Sequence, residues 1–255
     1  MIFIDKLSRQ TGYFNKMYQY NLSKGKEEEA LIFETREDVF YPTDTSNLLI
    51  EAAKLVITSP SKIIDLGCGC GVVGIVLVKL GLCKGPLFAS DISKEAVTLA
   101  QKNASKMSID YVGRCGSLFE PWKDEKFEVI IDDISGISDD IAIISPWYPA
   151  GVYCNAGRDG TKWIIQAIEQ SRRYLTERGI LIFPILSLSN EDKILRIVKR
   201  IFSSCALIMK RDWFLPDEII NRADILMPLI NDGSIRCQKK FGKWIWSTYI
   251  YKASN

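Results

Sequence analysis

A glycine-rich turn between two apolar segments restricts the folds that this chain can adopt. Residues 63–75 read IIDLGCGCGVVGI, in which Asp65 lies within a predicted strand and an apolar helical pattern follows. Four glycines fall between the two: Gly67, Gly69, Gly71 and Gly74. Glycines let the backbone turn tightly and approach a ligand closely, beside the amide-rich N-terminus of a helix. The stretch therefore predicts a strand–loop–helix unit that binds a ligand.

The alternation of strands and helices continues along the chain. Two helical patterns separate further extended runs. The first, at 93–105, is capped by Ser93, and the second, at 160–179, ends at Gly179. The strands predicted after the first are 86–91, 109–115, 126–132 and 180–186. Such alternation predicts right-handed βαβ units and an α/β fold with a parallel, doubly wound sheet.

The C-terminal part departs from this alternation. Residues 204–214 and 243–252 both look extended, and a helical insert at 217–230 separates them. Two strands without a crossover helix between them predict an antiparallel hairpin on the edge of the sheet.

The N-terminal part also departs from it. Tyr13, Met17 and Tyr20 fall on one face of a helix, which predicts a small helical cap that packs on the core or forms a lid over a ligand. We therefore divide the chain into an N-terminal cap at 1–58 and an α/β domain at 59–255.

The charge and hydropathy of the chain restrict the classes of partner that it is expected to bind. Lys and Arg number 33 against 31 Asp and Glu, a net charge of +2, which argues against nucleic acid or an anionic membrane as a partner. A small basic cluster, Lys239, Lys240 and Lys243, is interpreted as solvated surface. No apolar run reaches the roughly 18 residues of a membrane span, and the first residues lack the order of a signal peptide.

Cysteine and histidine usage narrows the chemistry. The seven scattered cysteines form no CxxC pair, which indicates reduced thiols in a cytoplasmic protein. The chain has no histidine, so we predict no metal site and exclude catalysis by a nucleophile–histidine pair. Proton transfer is left to Asp, Glu, Tyr or Lys.

Two acidic residues discriminate between the cofactors that the glycine turn could bind. The run from Gly69 to Gly74 matches the GxGxxG pattern of dinucleotide binding, which is weak evidence alone. Asp65 precedes Gly67 by two residues, and Asp91 ends the next strand, where a carboxylate can accept both ribose hydroxyls. With these residues in place, the chain over about residues 40–210 resembles the class I S-adenosylmethionine (SAM) methyltransferases.

Further stretches resemble the glutamine methyltransferases of release factors and their small-domain relatives. These stretches are YPTDTSNLL before the glycine turn, GSLFEPWKDEKFEVII around the fourth strand, and GRDGTKWIIQAIEQSRRYLTERGILIF through the fifth. The resemblance implies a Rossmann-like sheet of seven strands and SAM as the cofactor.

The resemblance also implies which residues would hold SAM. They are Asp65, Gly67, Gly69, Gly71, Asp91, Ile92, Ser117 and Leu118. Asp65 would meet the amino group, with the glycines along the methionine moiety, while Asp91 would hold the ribose and Ile92 would cover the adenine. Ser117 and Leu118 would lie at the adenine edge, where many relatives carry Asp in place of Ser117 and where a serine accepts a weaker hydrogen bond.

The residues after the fourth strand depart from the glutamine methyltransferases. Those enzymes carry NPPY there, which grips the amide nitrogen that is methylated, whereas this chain carries Asp133-Ile134-Ser135-Gly136 after Asp132. An ionised carboxylate cannot donate to an amide carbonyl, so glutamine is not the expected substrate. Asp133 and Asp132 are the candidate catalytic carboxylates, with Ser135 and Tyr148 as positioning groups. Alternatively, Asp132 and Asp133 only cap nearby backbone amides in an ordinary loop.

An aromatic segment at 145–160 follows. Trp147, Tyr148 and Tyr153 would lie beside the cofactor, either as ordinary loop packing or as an enclosure for the sulfonium, since the face of an aromatic ring attracts a cation. Such a closed site admits only a small acceptor, or none.

Three functions are compatible with these features. We expect a cytoplasmic biosynthetic transferase, a SAM-dependent methyltransferase acting on nitrogen or oxygen of a small molecule. The alternative is cyclisation of SAM alone to azetidine-2-carboxylate and methylthioadenosine, since azetidine-2-carboxylate synthases use this fold. The second alternative is a SAM-binding partner subunit without catalysis.

Overall fold

An antiparallel β-hairpin, rather than a helix, forms the N-terminal end of the described structure. The computed structural model describes residues 17–24, 27–134, 136–148, 152 and 154–255. Strand β1 (Met17–Lys24) pairs with β2 (Glu27–Glu34). The prediction of a helical cap is therefore wrong for Met17 and Tyr20, and Tyr13 lies outside the described residues.

The hairpin forms because its apolar residues repeat every second position rather than every third or fourth. Leu22, Leu31 and Phe33 are fully buried in the core, whereas the Tyr18 and Tyr20 hydroxyls donate to Asn47 (2.6 Å) and Glu51 (3.2 Å). A period of two is the pattern of a half-buried strand. The three-residue spacing of Met17 and Tyr20 therefore does not indicate a helix.

A sheet of eight strands follows the hairpin. Its strands are β3 (Ile63–Leu66), β4 (Leu87–Asp91), β5 (Tyr111–Cys115), β6 (Phe127–Asp132), β7 (Leu175–Leu186), β8 (Ser204–Phe214), β9 (Gln238–Lys240) and β10 (Lys243–Ser254). The order is β5-β4-β3-β6-β7-β10-β8, with the short β9 paired to β10. β3 to β7 are parallel, whereas β10 is antiparallel to β7, β8 and β9. The predicted α/β fold with antiparallel C-terminal strands is confirmed.

Helices cover both faces of the sheet. They are α1 (Asp44–Val56), α2 (Val72–Lys79), α3 (Lys94–Lys106), α4 (Asp139–Ile144), α5 (Lys162–Tyr174), α6 (Glu191–Ile201), α7 (Asp217–Ile220) and α8 (Ala223–Asn231). The hairpin, α1, α2 and α3 share one hydrophobic cluster with the sheet, and α5 and α6 share a second. Ser93 caps α3 as predicted, by accepting a hydrogen bond from the Ala96 amide. No helix of the described residues is long and apolar enough to cross a membrane.

Helix α5 ends five residues earlier than predicted. The chain becomes extended at Leu175, which pairs with Phe127, and the register then shifts before Ile180 pairs with Val129. A Cβ on Gly179 would lie 3.1 Å from the Phe127 carbonyl oxygen. Gly179 therefore permits a close approach within an irregular strand and does not terminate the helix.

The hydrophobic core crosses the predicted boundary at residue 58. The cluster on the α1 side joins Leu22 and Leu48, from the predicted cap, to Ile63 and Val129 in the sheet. The division at residue 58 stays a prediction.

Candidate functional site

A pocket of about 560 Å³ lies at the carboxyl ends of β3, β4 and β6. This edge is where ligands bind in open α/β sheets, because the loops that follow the strands leave a crevice there. The walls come from the segment before α1, the glycine turn, the ends of β4 and β6, the segment at 117–118, and residues 152, 154 and 155.

The glycine turn forms the floor of the pocket. Gly67 and Gly69 line it, both with positive φ (72° and 51°). A Cβ on Gly67 would lie 3.0 Å from Ile134 Cγ1 and 3.2 Å from the Asp133 carbonyl oxygen, whereas the nearest atom to a Cβ on Gly69 is the Phe40 carbonyl oxygen at 3.8 Å. Gly67 is therefore required by close packing against the end of β6, while Gly69 leaves room above the turn.

Asp65 and Gly71 hold the turn from behind and do not line the pocket. Gly71 is the N-cap of α2 with φ 88°, and Oδ2 of Asp65 accepts a 2.9 Å hydrogen bond from the Gly74 amide. Oδ1 of Asp65 is buried and has no hydrogen-bond partner among the described residues. Burial, and then the neighbouring Asp133, raise the pKa of Asp65 to about 8. This orphaned oxygen is where a cationic group of a ligand would be stabilised.

Asp91 lines the pocket at the end of β4 and is already part of a hydrogen-bond network. Its Oδ2 accepts from the Gly69 amide (3.0 Å) and its Oδ1 from the Ser93 amide (2.9 Å). Burial raises the pKa of this carboxyl group. Each carboxylate oxygen has a second lone-pair site, so Asp91 can still accept hydroxyl groups of a ligand, as the ribose prediction requires.

Ile92, Ser117 and Leu118 line the pocket together. The Ile92 side chain is 70% exposed, and Leu118 is nearly buried with a positive φ of 52°. The Ser90 hydroxyl donates to the Leu118 carbonyl oxygen at 2.8 Å and fixes this loop. The structure thus gathers the residues predicted at the adenine end, and their contacts with adenine stay a prediction.

Asp133 also lines the pocket, and a residue of α1 holds its side chain. The Ser46 hydroxyl, itself buried, donates a 2.8 Å hydrogen bond to Oδ2 of Asp133. Burial raises the pKa of Asp133 to about 7, and the bond from Ser46 opposes part of that rise. A carboxyl group with a pKa near neutrality can both accept and release a proton.

Asp132 points away from the pocket. Its Oδ1 accepts from the Ile134 amide at 3.0 Å, and its Oδ2 is buried with no partner among the described residues. Burial raises its pKa to about 7. The two neighbouring acids therefore occupy different places, and only Asp133 faces the pocket. Ser135, predicted as a positioning group, lies outside the described residues.

Tyr148 supports the pocket wall from behind. Its ring lies 5.1 Å from the ring of Phe40, and its hydroxyl donates to Cys154 Sγ at 3.4 Å. Phe40 and Cys154 line the pocket. Trp147, predicted beside the cofactor, does not line the pocket and packs on Trp246 at 5.2 Å between ring centroids, in a hydrophobic cluster that also includes Cys154. Tyr153 lies outside the described residues.

Sequence reasoning missed three residues of the site. Phe40 lies beside the YPTDTSNLL stretch and Ser46 within it, and Trp163 lies in the first turn of α5; all three line the pocket. The proximity of that stretch to the glycine turn was implied by the resemblance, but no pattern singled out a serine within it. Trp163 looked like a residue on the apolar face of α5.

The pocket carries an excess of negative charge. Among the described residues that line it, Asp38, Asp91, Glu95 and Asp133 have carboxyl groups, and none has an ammonium or guanidinium group. Only Asp38 has a salt bridge, with Arg36. Such a surface favours cationic ligands and repels phosphates and carboxylates.

The fold is similar to that of the class I methyltransferases. Residues 31–133 match the family model described as "Methyltransferase small domain". The comparisons confirm the predicted resemblance to SAM-dependent methyltransferases and support SAM as the cofactor.

Three known proteins illustrate the similarity. The chain is 26% identical over 156 residues to the release factor glutamine methyltransferase of Geobacter sulfurreducens, covering 60% of this chain and 55% of that protein. Ribosomal protein L11 methylase of Lactobacillus delbrueckii subsp. bulgaricus has a TM-score of 0.53 at 19% identity, covering 87% of this chain and 84% of that one. The 16S rRNA N2 G1207 methyltransferase of T. thermophilus, in complex with AdoMet and guanosine, has a TM-score of 0.57 at 11% identity, covering 94% and 51%. The chain thus spans about half the length of the release factor glutamine methyltransferases that it matches.

Proposed function

We propose that this chain is a SAM-dependent N-methyltransferase whose acceptor is an amine. The observation that carries the proposal is Asp133, a pocket-lining carboxylate held by Ser46 at the exit of β6, in a pocket without lysine or arginine side chains among its described residues. An amine that enters as ammonium fits this charge, whereas an amide or a phosphate ester does not.

The pocket fits SAM by size, shape and charge. Its volume of about 560 Å³ falls within the usual range for small-molecule and cofactor sites. Gly69 leaves room above the turn, Asp91 has lone pairs for the ribose, and the orphaned Oδ1 of Asp65 would stabilise the amino group. When bound, SAM supplies a methyl group on a positively charged sulfur.

The residues of the chain prepare the acceptor. Asp133 accepts a proton from the bound ammonium, which leaves a neutral amine with a free lone pair and a protonated Asp133. The bond from Ser46 fixes one carboxylate oxygen and so orients the other. After transfer, the proton leaves Asp133 for solvent. Because transfer moves the positive charge from sulfur to nitrogen and creates no new charge, positioning and exclusion of water contribute more than further acid catalysis.

The acceptor amine has two possible sources. A small free amine is the one we favour, because the pocket is of small-molecule size and Phe40, Trp163 and Val152 contribute apolar side chains to its lining. A lysine side chain of a protein is the other, since the relatives named above include a methylase of ribosomal protein L11. The free cysteines, all seven of them unpaired, support a reducing compartment such as the cytoplasm.

A second candidate function is cyclisation of SAM, in which its own amine displaces the sulfide. Asp65 lies behind the pocket lining, and its buried Oδ1, which has no partner among the described residues, favours this reaction because it could accept a proton from an amine that reaches it. This reaction would need no acceptor.

One product assay separates these functions. Purified protein is incubated with SAM alone, with SAM and a set of free amines, and with SAM and lysine-containing peptides, and the products are identified by mass spectrometry. We expect S-adenosylhomocysteine only when a free amine is added. Turnover with peptides alone would move the acceptor to a protein, methylthioadenosine from SAM alone would favour cyclisation, and SAM binding without any product would refute catalysis.

A further inference from the structure

A tight turn between β9 and β10 presents an aromatic ring to solvent. Phe241 and Gly242 join the two strands, and the Phe241 side chain is fully exposed. Both residues have positive φ (50° and 78°), the conformation of a two-residue hairpin turn that favours Asn-Gly. A bulky side chain is disfavoured there by its own Cβ. Neither packing nor turn geometry accounts for a phenylalanine at this position.

Cationic side chains surround the turn. Lys240 and Lys243 flank it directly and Lys239 precedes them, all exposed. Asp212 is the nearby acid of β8, and it pairs with Lys240 and Lys210. Within the part of the chain that the structure describes, Lys239 and Lys243 have no ion-pair partner. The turn is therefore an apolar tip with a surplus of positive charge immediately behind it.

The turn projects from the same edge of the sheet as the pocket. β10 runs antiparallel to β7, and Thr248 pairs with Leu186, the last residue of β7. The residues of β10 that precede Thr248 therefore extend beyond the carboxyl ends of the parallel strands, where the pocket lies. A surface that contacts Phe241 would face the pocket-bearing edge of the protein.

We propose that the Phe241 turn docks on an anionic lipid surface, with the ring inserted at the boundary of headgroups and acyl chains and the lysines beside the lipid phosphates. An exposed aromatic tip supported by lysines matches this interface, where apolar burial and attraction to anionic lipids add together. The nearly neutral net charge of the chain conceals this local cluster. The proposal is independent of the methyl acceptor.

The neighbouring aromatic rings argue for lipid rather than single-stranded nucleic acid. Binding of single strands uses several open rings along a basic groove. Here Lys243 lies over one face of the partly exposed Phe214 ring, with its Nζ 4.5 Å from the centroid, and Arg211 lies over Trp213 at 5.5 Å. Phe241 is fully exposed at the tip, which suits insertion of one side chain.

Vesicle flotation with the full chain tests the proposal. We expect binding to vesicles of phosphatidylcholine mixed with phosphatidylserine, no binding to phosphatidylcholine alone, and weaker binding at high salt. Phe241→Asn should weaken binding about tenfold, from the loss of one buried aromatic side chain. Because Asn tolerates positive φ, its Tm should equal or exceed that of the wild type.

Matched variants control for general surface effects. Lys239→Gln should weaken binding about fivefold, whereas Lys123→Gln should not change it. Ile143, which is 81% exposed on α4, serves as the apolar control, and Ile143→Asn should bind like the wild type. Equal affinity for neutral and anionic vesicles, or unchanged affinity of Phe241→Asn, would overturn the proposal. Binding of a single-stranded RNA oligonucleotide that the same variants abolish, without vesicle binding, would overturn it in favour of nucleic acid.

Discussion

The hydroxyl of Ser46 on α1 donates a 2.8 Å hydrogen bond to Oδ2 of Asp133 at the end of β6, across 87 positions of the chain. The contact links the segment before the glycine turn to the strand end where the acceptor is expected to bind. It fixes one oxygen of a carboxylate in a pocket that offers it no cationic partner among the described residues. A bound ammonium would supply that partner.

Asp133→Asn should lower turnover at least about a hundredfold, because the amide cannot accept the proton of an ammonium group. SAM affinity, measured by calorimetry, should change little, since Asp133 is assigned to the acceptor. Asp124→Asn, at an exposed acid that does not line the pocket, is the matched control and should behave like the wild type. Full activity of Asp133→Asn would refute its catalytic role.

Turnover should rise with pH through about 7, since Asp133 must be ionised to act as a base and burial raises its pKa to about 7. The bond from Ser46 lowers this pKa, so Ser46→Ala should move the midpoint of the pH–rate profile to higher pH. The profile is measured from kcat at saturating SAM and acceptor. A lower rate with an unmoved midpoint would mean that Ser46 acts only through packing.

The stability of the unliganded protein should fall as the pH rises from about 4 to about 7. Asp132 has an ordinary pKa of 3.8, raised to about 7 by burial in the folded state. Between these values the folded state binds the proton and the unfolded state does not, so each increase in pH favours unfolding. Asp132→Asn should flatten the dependence and add on the order of a few kcal/mol at pH 8. Urea denaturation at several pH values measures both, and an unchanged slope would contradict the assignment.

Alanine at the two pocket glycines should have unequal effects. Both positions have positive φ, so each substitution should cost about 1 kcal/mol of stability. Gly67→Ala should cost more and should also reduce turnover, because its Cβ would meet Ile134 and the Asp133 carbonyl oxygen, whereas Gly69→Ala meets no atom closer than 3.8 Å. Thermal unfolding of the two variants makes the comparison, and equal losses would contradict it.

Asp91→Asn should weaken SAM binding at least about tenfold. The amide retains one acceptor oxygen, so it can satisfy only one of the Gly69 and Ser93 amides while also serving the ribose. Calorimetric titration with SAM gives the change, and the pH dependence of turnover should keep its midpoint. Unchanged affinity would show that the ribose binds elsewhere.

The sequence predicted the parts of the protein whose pattern is local. The exits of β3, β4 and β6 carry Asp65, Asp91 and Asp133, and their position at one edge follows from parallel strand order alone. The N-terminal hairpin was missed because Met17 and Tyr20 fit a helical spacing, while burial of Leu22 and Phe33 in the core that α1 shares favours a strand. That decision depends on residues far away in the chain.

The different side-chain positions of neighbouring residues could not be predicted from the sequence either. Asp132 and Asp133 look alike in sequence, but the pleat of β6 sends one side chain inward and leaves the other in the pocket. The role of Ser46 could not be predicted because its hydrogen-bond partner, Asp133, lies 87 positions away in the chain. Trp147 was predicted to lie beside the cofactor, but it packs on Trp246, a residue of β10 that is distant in the chain.

The most direct test of the proposed reaction uses SAM with a deuterated methyl group and a set of free amines. Mass spectrometry shows whether the intact labelled methyl group appears on an amine nitrogen, with one S-adenosylhomocysteine formed per transfer. The measurement is made on the wild type and on Asp133→Asn. We predict labelled amine from the wild type and almost none from the variant. Label that remains in methylthioadenosine, or equal transfer by both proteins, would contradict the proposed role of the Ser46–Asp133 pair.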